Sequence, residues 1–81
     1  MFYTIKYATS HKDGNNIQVN LDKNGNMYIV SAWEKGSFKT VERIEASRYE
    51  EAEIAFDAMC KKYNMFSVHE PEQTWDATEF D

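Results

Sequence analysis

Eighty-one residues, 42% hydrophobic and 28% charged, make one small globular domain, and a chain this short buries only about 60% of the surface that its unfolded form exposes. One cysteine, Cys60, excludes an intramolecular disulfide, and no apolar run reaches the roughly 18 residues that cross a bilayer. The formal charge of −5 is uneven: residues 1–44 carry six Lys/Arg against four Asp/Glu, and residues 45–81 carry three against ten, which disfavours a general nucleic-acid binder.

The lone cysteine and the start Met-Phe-Tyr-Thr-Ile-Lys, which has no basic stretch leading into an apolar one, set the expectation of a cytoplasmic protein. From Phe2 to Ala8 the chain alternates, with Tyr3, Ile5 and Tyr7 on one side and Thr4 and Lys6 on the other, the period of a half-buried strand. Residues 9–16 hold turn formers and no apolar side chain, so they form a polar loop. Ile17, Val19 and Leu21 then alternate with Gln18, Asn20 and Asp22 in a second strand. Asn24-Gly25 tolerates the positive φ angles of a tight hairpin.

Met27–Glu34 is a third strand, rich in β-branched and aromatic residues and expected to be central, covered on both faces. After a turn at Lys35-Gly36-Ser37, Phe38–Ile44 is a fourth strand whose period slips between Phe38 and Val41, a slip that a β-bulge repairs. Ser47 with Glu50 three residues on has the form of a capping box, so a helix starts near Arg48. Its apolar stripe is Tyr49, Ala52, Phe56, Met59 and Tyr63, flanked by Ala55 and Cys60, and Asn64 ends it. Residues 65–69 add a short strand. The expected fold is α+β: a four- to five-stranded antiparallel meander with one C-terminal amphipathic helix on one face, over residues 1–69, then an acidic tail over 70–81.

Catalytic chemistry has no visible seat. His11, Cys60 and His69 are too scattered for a metal site, and no CxxC, HxxxH or HExxH spacing occurs. Gly14, Gly25 and Gly36 stand in separate turns, so no phosphate-binding loop can form. Cys60, at the border of the apolar stripe, reads as packing. The expectation is a non-enzymatic protein with no cofactor and no metal.

Three recognition surfaces remain. The first is an acidic row on the helix, Glu50, Glu53 and Asp57, read as lying opposite the apolar stripe, with Ile54 among these acids and an Asp57–Lys61 pair easing the repulsion. The second is the sheet face that one helix leaves uncovered, where some of Tyr3, Tyr7, Tyr28 and Trp33 stand, Trp33 being the expected anchor. The third is the tail, whose Glu70, Glu72 and Asp76 accompany the aromatics Trp75 and Phe80.

Residues 26–63 resemble the WGR domain of poly(ADP-ribose) polymerases in having strands, a Trp near a Gly, then a helix that opens on paired acids. Trp33 is followed by Glu34-Lys35-Gly36 where that family has Gly-Arg, so no functional residue carries over. In size, acidity and plan the chain is also similar to small phage and mobile-element proteins, including anti-CRISPR inhibitors of host defence, a resemblance of type without a shared motif.

The leading expectation is therefore an acidic interaction protein that binds a basic protein surface, such as that of a nucleic-acid-binding enzyme, by steric blockade or nucleic-acid mimicry. A nucleic-acid-binding module using the aromatic sheet face with Lys6, Lys39 and Arg43 comes second. A homodimer joined through the open sheet face or strand edges comes third.

Overall fold

The computed structural model describes residues 2–10 and 16–71. Strands β1 (Phe2–Thr9), β2 (Ile17–Asn24), β3 (Met27–Glu34) and β4 (Thr40–Ala46) precede helix α1 (Tyr49–Tyr63), and β5 (Ser67–His69) follows it. All pairings are antiparallel and the order across the sheet is β4-β3-β2-β1-β5, so the α+β meander is as expected. The helix lies between the fourth and fifth strands rather than at the end, and β2, not β3, is the middle strand.

Sequence chemistry accounts for the turns. Asn24 pairs with Met27, leaving Gly25 and Asn26 as a two-residue loop. Gly25 has φ 62° and Asn26 is not among the positive-φ residues, the order of a type II′ turn with glycine in its first central place. The β3–β4 connection runs longer than expected because Phe38 has φ 59°, which ends its turn and cannot continue a strand. The expected bulge is present: Ala32 pairs with Glu42 and Trp33 with Thr40, leaving Val41 as the extra residue.

A second bulge was not foreseen and changes the fold more. Thr4 faces Asp22 but Lys6 faces Leu21, so Ile5 is extra and the alternation of β1 breaks there. Ile5 stays against the core, Lys6 turns under the helix and Tyr7 goes to the opposite face. The Lys6 ammonium lies 4.9 Å from the centre of the Phe56 ring and 3.3 Å from Glu53 Oε2, with its side chain only 13% exposed. Its aliphatic stem thereby seals the apolar interior while the charge is kept by a carboxylate and a ring face.

The helix packs as its stripe requires. Ala52, Phe56, Met59 and Cys60 are buried on Val19 and Leu21 of β2, Val30 and Ala32 of β3, and Ala8 of β1, with Tyr49, Ala55 and Tyr63 half-buried around them. The small residues Ala8 and Ala32 leave room for the Phe56 ring.

The helix start differs from expectation. Arg48, in extended backbone (φ −124°, ψ 142°), holds the cap position and no side chain caps the helix. The start falls one residue after Ser47, so Glu50 is the second helical residue and cannot close a capping box. Asn64 ends the helix as expected, with φ 59° and ψ 45°, and the Met65 N–H donates to the Cys60 carbonyl at 2.8 Å. That turn buries Met65, so it joins the core and β5 begins only at Ser67. Among the described residues no helix is long and apolar enough to cross a membrane.

Phe56→Ala should destabilise the fold by about 3–5 kcal/mol, the cost of emptying a fully packed aromatic site. Urea unfolding followed by far-UV circular dichroism measures it.

Candidate functional site

The acidic row exists, but it flanks the apolar stripe instead of opposing it. At 100° per residue Glu50, Glu53 and Asp57 fall on the side of the helix next to Phe56 and Cys60, and Glu53 reaches down to Lys6 of β1. Glu53 accepts a hydrogen bond from the Lys6 ammonium at 3.3 Å. Glu70, just past β5, stands close enough for its charge to act on Tyr49 as well. The Tyr49 phenol is raised above its ordinary value by burial first and by the carboxylates of Glu53 and Glu70 after that, against the opposing pull of Lys6. Glu50 is exposed with its carboxylate 3.9 Å from Arg48, and exposed Asp57 forms no ion pair with Lys61.

Four carboxylates thus gather along the margin between α1 and β5. Beside them lies a groove of about 220 Å³ lined by Asp57, Cys60, Lys61, Met65, Phe66 and Val68. Phe66 is 65% exposed and Val68 50% exposed, two large apolar side chains on the rim of an acidic margin. Neither was among the expected site residues. Their spacing of two in Phe66-Ser67-Val68 was the available signal, since alternate residues of an extended segment share one face.

On the groove floor the Cys60 thiol is pushed up to about 11, chiefly by burial and then by the neighbouring Asp57 charge, so at neutral pH it is a protonated packing group.

The sheet face turned away from the helix carries a separate polar and aromatic set. Strand register places Tyr3 and Tyr28 on the helix side and Tyr7 and Trp33 on the other. Tyr7 stacks on His69 with centroids 5.0 Å apart, and Trp33 stacks on Phe38 at 5.9 Å. The Trp33 indole N–H and the Gln18 amide both donate to the Asn20 side-chain oxygen, at 3.1 and 2.9 Å. Thr4 donates to Asp22 at 2.7 Å, and burial raises the Asp22 carboxyl above its ordinary value, with the hydrogen bonds from Thr4 and Asn20 pulling it part of the way back.

The expected site residues are therefore divided. Glu50, Glu53, Asp57 and Glu70 come together, Ile54 points straight out at 71% exposure, and Trp33 lies across the sheet from all of them. Trp75, Glu72 and Asp76 lie outside the described residues. Of the cations named for the aromatic face, Lys6 is under the helix, whereas Arg43, opposite Ser31, stands on that face and is paired with Glu45.

Among the described residues no three His, Cys, Asp or Glu side chains are grouped to hold a metal ion. No family model, curated protein or solved structure matches the chain.

Two measurements check these environments. Cys60 should react with a chromogenic disulfide at pH 8 far more slowly in the native protein than in urea, as ultraviolet absorbance will report. Asp22, raised in the folded state, favours folding below its unfolded value near 3.8 and loses that contribution as pH rises through its folded value. The stability advantage of Asp22→Asn over the native chain should therefore be absent below that pH and grow above it, as urea midpoints across the range will show.

Proposed function

We propose that this is a non-enzymatic interaction protein that binds the basic surface of a protein partner through the α1–β5 margin. The observation that carries the reading is that Asp57 lines one groove with the exposed Phe66 and Val68, on the side of α1 that also bears Glu50 and Glu53. Apolar side chains supply the desolvated centre of a contact, and the surrounding carboxylates supply steering and register. The catalytic alternative has less to draw on, because the groove's one nucleophile is a protonated, buried thiol.

The narrower form of the proposal is an inhibitor of a nucleic-acid-binding enzyme, of the kind that phage and mobile elements direct against host defence. Steric blockade suits this margin better than mimicry of a phosphate row. Glu53 is already ion-paired with Lys6, so the row offers a partner fewer free charges than its sequence spacing implies.

The test is capture from a lysate of the native host, comparing the native chain with Glu50→Lys/Asp57→Lys and with Phe66→Ser. These exposed positions should leave the thermal melt unchanged. A partner that is held by the native chain, released by salt and weakened about tenfold or more in either variant supports the reading. A partner held equally by all three removes the margin from the contact.

A further inference from the structure

The outward side of α1 borders the acidic margin, shares Lys61 with its groove, and carries a pattern of its own. Glu51, Ile54, Ala58 and Lys61 stand at i, i+3, i+7 and i+10, all exposed, with Ile54 71% exposed. Among the described residues neither the Glu51 carboxylate nor the Lys61 ammonium is in an ion pair, whereas the neighbouring Lys62 is held by Glu42 at 2.8 Å. The first turn of the helix is acidic and the last basic. Read backwards, the row acid, large apolar, small apolar, base becomes its own complement.

We propose that α1 pairs antiparallel with α1 of a second copy of this chain about a two-fold axis level with the midpoint between Ile54 and Ala58. Each Ile54 then packs over the partner's Ala58, whose single methyl lets the helix backbones approach. Each Glu51 meets the partner's Lys61 at the ends of the contact, so one isologous interface closes two ion pairs around two isoleucines. Charge complementarity selects the second copy as occupant, because the row carries one acid and one base whose order, reversed, sets each opposite its counter-charge. The groove lined by Asp57, Phe66 and Val68 lies to one side of this row and shares Lys61 with it, and the pairing stands whether or not the margin binds a partner.

Sedimentation equilibrium of the full chain from micromolar to millimolar concentration tests the proposal. The native chain should dimerise reversibly and less strongly in high salt. Glu51→Lys and Lys61→Glu should each weaken dimerisation about tenfold, since the symmetry counts every change twice. The double exchange Glu51→Lys/Lys61→Glu should restore native affinity, and Ile54→Asp should abolish association, with unchanged far-UV spectra for all four. A native chain that stays monomeric throughout, a double exchange no better than either single change, or a dimer indifferent to Ile54→Asp, as a sheet-face or strand-edge dimer would be, overturns it.

Discussion

The Phe56 ring under the Lys6 ammonium is the contact on which this small molecule depends. A sheet of five short strands with a single helix has one interior, and the largest fully buried side chain in it is that ring. It shares the core with Ala8 of β1 and Ala32 of β3, and the charged end of Lys6, turned inward by an extra residue in β1, lies over it between helix and sheet. The same ammonium holds Glu53, so a single cation ties the helix to β1 and partly discharges the acidic margin. Stability and surface character meet in one side chain.

Much of the fold can be read from the sequence because the hydrophobic periods are clean where burial is one-sided. The buried face of β2, Val19 and Leu21, follows from period-two alternation, the tight turn at Asn24-Gly25 sets these residues opposite Ala32 and Val30, and the helix stripe follows from the 100° advance of α1. The failures occur where one residue decides the geometry. Nothing local marks Ile5 as an extra residue, since Tyr3, Ile5 and Tyr7 alternate well enough for a regular strand, and only packing on β2 reveals that Lys6 faces inward. Ser47 and Glu50 have the composition of a capping box, but the helix begins one residue too late to use them. Spacing alone identifies the acids of α1 but not their direction, because the apolar stripe is wide enough to make Glu53 its neighbour. Phe66 and Val68 escaped notice because Met65, beside them, turns inward and claims the core position.

The surface that results is divided by function-bearing chemistry. One margin of α1 joins carboxylates to exposed apolar side chains, the outward row of the same helix carries around Ile54 one charge of each sign that is in no ion pair among the described residues, and the far sheet face is a network of satisfied polar and ring contacts. The first two suit protein contacts of different kinds. The far face binds its own groups together: the Trp33 indole N–H is already satisfied by Asn20 and its ring is already stacked on Phe38, so less of it is left to anchor a partner than the sequence alone suggests.

The tight turn at Gly25 also bears on how the chain reaches this structure. The β2–β3 hairpin joins Asn24 to Met27, three positions apart, and its ladder runs on without interruption to Ile17 and Glu34. Both bulges fall in strands that add to this hairpin, and the union of β1 with β5 must bring Thr9 to Ser67 across most of the chain. Closure entropy rises with the length of chain enclosed, so the regular central pair is cheap to form and the margins are not. The part of the molecule that assembles most easily is thus its scaffold, while the helix margin on which recognition would fall is completed only when the most distant segments meet.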